Sequence, residues 1–421
     1  MKKILLFLFT FLSINLFAQN NLEFYLNRAY EYSPALNEIK NLESVNKLQN
    51  ELNYSQNSAF QTYLSANYLF APFFNDKKII VSVNPDPNAI GYDVGITNGG
   101  LYSAQLNIEK NIFNGGLTNA LENQIGIQQK QYKFNYELEK RNLQKQITDQ
   151  YLTSYRSLMF YHLTKEILQN VEDQLNITGE LVEKGYANSQ SYLLLKIELQ
   201  SQKMALKENF QQYKNDLLQL NSLCGIKDTQ TVFIDSVSIS RNDLKTNFRF
   251  LEKFNLDSSA TANQQILFET KYQPQVKIFF NTGLNAMELN RIQRKFGLSA
   301  GIDLQLPIFD GGQKNITRQQ NEILLSSINN YKQYAATNIE NQKQAVLSSI
   351  NLIQNNLVSI NTQLNDYNEL IRISKMQLNV GDISMIEYLS ILKNYIDLRK
   401  LKIDKEINLQ LEINNFNYWN E

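Results

Sequence analysis

Four scarcities bound this 421-residue chain before any motif is considered. A single cysteine, Cys224, rules out an intramolecular disulfide framework, and it ends the apolar run Leu217–Leu223 before Gly225, as a small buried hydrophobe does at a helix end. A single histidine, His162, sits mid-run between Tyr161 and Leu163, leaving no His cluster for metal or acid–base chemistry. Charge is balanced at 41 basic against 41 acidic side chains with no long basic block, which argues against a nucleic-acid partner. Only six prolines interrupt the chain, so long continuous elements are expected.

Long hydrophobic runs are also missing, with one exception at the start. Lys2 and Lys3 precede the apolar stretch Ile4 to Phe17, and Phe17-Ala18-Gln19 offers a small-residue exit. Residues 1–18 therefore read as a secretory signal cleaved after Ala18. No cysteine stands at that point to carry a lipid, so the exported chain is expected to be unlipidated. Beyond it, no helical stretch is apolar enough to span a bilayer, and an integral protein would have to cross on strands.

What is present is a repeat. Phe113-Asn114-Gly115-Gly116 returns as Phe309-Asp310-Gly311-Gly312, and Gly185–Leu193 returns as Gly381–Leu389, both at an offset of 196 residues. The first unit spans 19–225, the second 248–421, with a polar connecting region at 226–247. Each unit opens with a helical stretch, Leu22 to about Asn57 or roughly Phe248 to Thr270. Two alternating segments follow, at about 60–72 and 101–113 in the first unit and 273–287 and 295–309 in the second. The clearest runs from Phe296 to Ile308, with every even position apolar. Between the first pair lies a Pro/Asn/Gly-rich stretch, Phe73 to Gly100, expected to be a long loop; the equivalent connection, Glu288 to Arg294, is short.

These strands are expected to run 11 to 14 residues, against the ~5–6 usual in globular sheets and the ~9–11 that cross a bilayer at a tilt. The glycine pairs Gly115-Gly116 and Gly311-Gly312 mark a strand-to-helix switch, with Asn114 or Asp310 placed to cap the helix start. From there to Gly185 or Gly381 is about 68 residues of helical periodicity, roughly 100 Å if unbroken. The apolar positions form a narrow seam between wide Gln/Asn/Lys/Glu surfaces, a coiled-coil pattern. Helical periodicity then resumes from about Ser189 to Cys224 and from about Met385 to Phe416, so each glycine is the tip of a helical hairpin.

Four strands cannot close a cylinder, and in hydrocarbon every backbone amide needs a partner. Identical chains must pool strands, eight from a dimer or twelve from a trimer, and strand physics alone does not choose.

The duplicated order of helix, strand pair, Phe-x-Gly-Gly, long helix, glycine tip and return helix resembles the outer-membrane efflux protein family, the TolC-like outer membrane factors. Leu306-Pro307-Ile308-Phe309-Asp310-Gly311-Gly312 and Val380-Gly381 are the most specific phrases, with Asn111 where the first unit departs from the proline. The resemblance implies a mostly α fold with membrane β: a homotrimer whose twelve strands form one barrel in outer-membrane lipid, continued by a helical tunnel through the periplasm. It further implies an exit duct for a tripartite efflux or type I secretion system, fed by an inner-membrane RND or ABC pump through a periplasmic adaptor, without a cofactor. Adaptor docking would fall on Val380, Gly381 and Asp382 and, less well matched, on Lys184, Gly185 and Tyr186. The resemblance places the tunnel mouth on Glu387 and Ser390, a Glu387 ring favouring cations, and on Gln190 and Ser191, where the first-unit threonine and aspartate of the family's latch fall. The family's polar latch is replaced by Leu378 and Ile383, which implies a resting closure with fewer charged links. Two other readings remain: an enzyme, for which no phosphate loop, metal cluster or nucleophile constellation exists, and a periplasmic helical adaptor or scaffold without pore activity.

Overall fold

The structure is a computed structural model, and it describes residues 21–76, 78–82, 84–91, 100–243, 249–287 and 289–420. The expected signal segment, 1–18, and the last residues of the connecting region lie outside them. The elements in chain order are α1 (Leu22–Tyr32), α2 (Pro34–Asn57), β1 (Gln61–Phe70), β2 (Phe73–Asn75), β3 (Lys78–Ile80), β4 (Gly100–Asn114), α3 (Leu117–Glu183) and α4 (Ser189–Leu223). Then come α5 (Arg249–Glu269), β5 (Gln275–Ala286), β6 (Phe296–Gln305), α6 (Gln313–Val380) and α7 (Met385–Asn420). Short 3-10 turns at Thr270–Tyr272 and Leu289–Arg294 flank β5.

Four expectations need correction. The first helical stretch is two helices, because Pro34 has no amide to continue α1; Ser33 ends α1 through its own N–H to the Ala29 carbonyl (2.9 Å) and accepts the Leu36 N–H on its hydroxyl (3.3 Å). The proposed long loop contains a hairpin, β2 against β3, with a further bridge from Phe74 to Ile90. There Phe73 is buried, and a Cβ on Gly91 would overlap its ring. The last strand stops at Gln305 rather than near 309, since β5 begins at Gln275, the partner of Gln305, and offers nothing for Leu306–Phe309 to pair with. Finally, β4 carries an extra residue at Ile112: Asn111 pairs with Lys277 and Phe113 with Val276, a bulge that returns Phe113 to the face of Val276.

The chain divides into two compact units. The first holds the described parts of Met1–Lys40, Phe134–Glu252 and Gln333–Glu421. Its largest core gathers Tyr25, Ala29, Ile147, Tyr151, Tyr213, Leu217, Leu220, Cys224 and Ile234. The connecting segment over this core has neither helix nor strand through residue 243, so its backbone groups need side-chain partners. Tyr213 donates its hydroxyl to the Val232 carbonyl (2.5 Å) and accepts the Ile234 N–H (3.2 Å), and Tyr151 donates to the Asp235 carbonyl (2.7 Å). Further on, α7 takes over: Gln410 accepts the Ile239 N–H (2.6 Å), Asn417 donates to Ser240 and accepts from Asn242, and Asn420 donates to the Asn242 carbonyl (2.6 Å). A row of amides along one helix thus does for this segment what a neighbouring strand would do.

The second unit holds Asn41–Lys133 and Lys253–Lys332, which include the sheet and the helix ends that flank it. Its helices are tied by buried amides: Asn46 donates to the Ile125 carbonyl and Asn263 to the Ala120 carbonyl, each at 3.0 Å, and Asn321 donates to Gln265 (2.6 Å). Each satisfied amide fixes a helix pair in register, since an unpaired one would cost about 1–3 kcal/mol.

Candidate channel wall, switches and tips

The sheet has the order β1-β4-β5-β6, antiparallel throughout. Residues directly opposite each other in such ladders point to the same side. One row therefore runs Leu64–Leu106–Thr282–Leu298 and the next Thr62–Ile108–Phe280–Ala300, placing apolar or hydroxyl-bearing side chains together across all four strands. The alternate rows run Tyr63–Asn107–Asn281–Ser299 and Ser65–Gln105–Gly283–Gly297 on the other face. Register thus sorts the strands into one apolar and one polar surface. The apolar surface is uncovered: Leu298, Ile302 and Leu304 are each 70% exposed or more. Asn107 holds the polar face together at β1, donating to Ser65 Oγ (2.7 Å). Gly283, at φ +147°, lets β4 approach where a Cβ would overlap the Ala104 carbonyl.

At the strand-to-helix switches, Gly115, Gly116, Gly311 and Gly312 all take positive φ, from 63° to 88°. Two left-handed residues in succession turn the chain from strand to helix, a path that costs an L-residue about 1–2 kcal/mol each. The second switch is capped as expected: Asp310 accepts the Gly312 and Lys314 N–H groups, each at 2.8 Å. The Tyr272 hydroxyl and these amides hold the Asp310 carboxyl below its usual range, while the same bond raises the Tyr272 phenol to about 12. The first switch differs. Asn114 donates to Thr118 Oγ1 (2.6 Å), which also meets Ser58 Oγ (3.4 Å), a neutral arrangement in place of a charged one.

Both hairpin tips are Schellman turns. Gly185 (φ 75°) donates to the Val182 carbonyl and Tyr186 to Leu181; Gly381 (φ 83°) donates to Leu378 and Asp382 to Gln377. Lys184, Tyr186, Val380 and Asp382 are all exposed around these turns, Tyr186 at 79%. The tips share a backbone and differ in chemistry, basic and aromatic against aliphatic and acidic.

The return helices start on caps that the offset of 196 superposes. Asn188 accepts the Ser191 N–H (2.8 Å). At the equivalent positions Ser384 accepts the Glu387 N–H (3.2 Å) while Glu387 accepts the Ser384 N–H (2.9 Å) and hydroxyl (3.0 Å), a reciprocal capping box. Glu387 is therefore engaged at the helix start, and these bonds lower its pKa. Ser390 lies one turn on, exposed like Glu387 and Gln190, with Ser191 half-buried. The Ser384-x-x-Glu387 signature was available in the sequence and is the feature that spacing to the tip glycine alone overlooks.

Behind the tips, Leu378 and Ile383 pack against a core of Leu163, Ile167, Val171, Leu195, Met385 and Tyr388 that joins the two hairpins. Burial raises the Tyr388 phenol to about 12. Arg399 makes a bidentate pair with Glu166 (3.2 and 3.1 Å) and donates to the Tyr395 hydroxyl (2.8 Å), and Gln174 reaches Asn379 (3.3 Å). Among the described residues no His/Cys/Asp/Glu group is placed to hold a metal ion, and no helix is long and apolar enough to cross a membrane.

No protein-family model matches the chain, and no curated protein matches it in sequence. Solved structures do match in fold. A membrane protein from Pseudomonas aeruginosa superposes with a TM-score of 0.74 at 13% identity, over 94% of this chain and 89% of that one. The outer membrane protein VceC from Vibrio cholerae gives 0.72 at 12%, over 95% and 96%. The CmeC outer membrane channel of Campylobacter jejuni gives 0.71 at 13%, over 95% and 86%. The chain has the TolC-like fold that these outer-membrane proteins share.

Proposed function

We propose that the chain is one third of a homotrimeric channel-tunnel in the outer membrane, which passively conducts substrates delivered from the inner membrane. The observation that carries this reading is the sorted sheet, apolar on one face and polar on the other, with β1 and β6 unpaired along their outer edges. Open edges and an exposed apolar face are tolerated together only if another copy supplies the next strand and lipid covers the face. Because the sheet has four antiparallel strands, the β6 of one copy meets the β1 of the next running opposite, and the alternation continues without a break. Three copies give twelve strands, an even number within the range of membrane barrels.

The fold shared with an outer membrane channel supports the same location. The two Schellman tips are the surfaces on which a periplasmic adaptor would dock, with an RND or ABC pump beyond it, in tripartite efflux or type I secretion. Tip chemistry supports two unlike grooves, one at Lys184-Gly185-Tyr186 and one at Val380-Gly381-Asp382. Exposed Glu387 and Ser390 would line the periplasmic aperture.

The test is fractionation followed by reconstitution. Sedimentation with outer membranes, resistance to alkaline extraction and stepwise conductance in planar bilayers are expected. Release into the soluble fraction without conductance would favour a periplasmic scaffold instead. A photo-crosslinker at Asp382 should then capture an adaptor in cells, and its failure there and at Tyr186 would remove the docking assignment.

A further inference from the structure

The four long strands hold four ionised residues, Glu109, Lys110, Lys277 and Asp303. Lys110 belongs to the apolar face, paired with Ile278, and its ammonium lies 4.9 Å from the Phe60 ring centroid. The other three share the polar face at a level made of two neighbouring rows, Glu109 opposite Phe279 in one and Lys277 opposite Asp303 in the next. Asp303 is directly opposite Lys277, and Lys277 Nζ is 3.1 Å from Glu109 Oε2. Gln61, the partner of Glu109, extends the row to β1. This level is the end of the sheet from which the chain turns to the helices, since β4 ends at Asn114 and β5 begins at Gln275. Farther along the strands the same face carries Asn107, Asn281, Ser299, Gln105, Gly283 and Gly297, all neutral.

Lys277 is ion-paired with Glu109 and faces Asp303, so the three groups together leave one net negative charge per chain at this level of the described strands. We propose that, in the trimeric channel argued above and resting on that reading, three copies of Glu109–Lys277–Asp303 form a girdle inside the barrel that makes the pore prefer cations. Asp303 sets the sign and Lys277 limits the strength.

Geometry says when the girdle acts. Twelve strands about 4.8 Å apart and tilted by about 45° close on a radius of roughly 13 Å, so inward carboxylates would lie roughly 8 Å from the axis. The Debye length is ~10 Å at 0.1 M salt and ~3 Å at 1 M. A ring of three charges therefore reaches the axis in dilute salt and is screened from it in concentrated salt. Charged rings of this kind favour counter-ions during conduction.

Reversal potentials of the full-length channel in planar bilayers, under a KCl gradient at or below about 0.1 M, test the proposal. The wild type is expected to prefer K⁺, with the preference disappearing near 1 M. Asp303→Asn, nearly isosteric, should lower the K⁺ to Cl⁻ permeability ratio about twofold or more, and Asp303→Lys should invert it. Lys277→Gln should raise it, an opposite response that simple damage to the barrel would not give. Conducting variants that all keep the wild-type ratio would overturn the girdle and leave the channel intact. A wild type that forms no pore would overturn the channel reading itself.

Discussion

Adjacent residues on β6 offer the sharpest test of which face meets lipid. Ser299 and Ala300 are both exposed in a single chain, yet the register places Ala300 opposite Phe280 on the apolar face and Ser299 opposite Asn281 on the polar one. The ten residues of β6 give a strand of about 34 Å, and a tilt of ~45° reduces its height to about 24 Å, close to the ~25 Å apolar band of membrane barrels. Ala300 is the fifth of the ten and falls near the midplane. An arginine there should cost ~2–4 kcal/mol per chain, whereas a water-filled lumen would accept one at Ser299 at little cost. Ala300→Arg is thus expected to lower the folded-to-unfolded ratio per chain by roughly thirty- to seven-hundred-fold, with Ser299→Arg close to wild type. Urea titration of refolding into lipid vesicles, read by the gel mobility of the folded form, measures both. Equal destabilisation by the two substitutions, or the reverse order, would refute the assignment of faces.

Three further outcomes are expected. Ser384→Ala removes the cap of α7 and should cost about 1 kcal/mol in thermal unfolding, while Glu387→Gln keeps an acceptor for the Ser384 N–H and should cost less; if Glu387 also rings the aperture, the same glutamine substitution should weaken cation preference in single-channel recordings. Because the folded pKa of Asp310 is depressed, its stabilising contribution should be fully present above about pH 5 and fade as pH falls through and below the usual carboxylate value near 4; the difference in melting temperature between wild type and Asp310→Asn should shrink over that window, and a difference that grows would contradict the cap. Burial raises the Cys224 thiol to about 12, so a maleimide at pH 8 should leave the native protein unlabelled and react fully after denaturation.

Much of this architecture is written in local signals that occur twice. The Gly-Gly switch needs left-handed backbone in succession, and the tip glycines need one left-handed residue, so both persist as letters at an offset of 196. Period-two alternation exposes the strands because one face of each is predominantly apolar. The strand ends were less legible, since the alternation through Leu306, Pro307 and Ile308 continues after β5 has no residue left to pair. Pro34 was a visible stop to α1 whose meaning depends on Ser33 acting as both end and cap. The β2–β3 hairpin leaves no periodic signal in the sequence because its strands are three residues each.

The site residues divide in the same way. Tip geometry follows from glycine alone, and the exposed positions of Lys184, Tyr186, Val380 and Asp382 follow from the turn. Glu387 shows the limit of counting from a motif: position marks it for an aperture, and only geometry reveals its bonds to Ser384. The Arg399–Glu166 pair joins residues 233 apart in sequence, and no local pattern announces it. The proposed charge girdle is of this kind too, because Glu109, Lys277 and Asp303 fall in neighbouring rows only after register is known.

Counting the chains in each lipid-embedded particle bears most directly on the claim that the sheet closes by sharing. Native mass spectrometry of the protein released from nanodiscs should give three identical chains, the number that brings four strands each to a closed twelve. A particle containing one chain would contradict it.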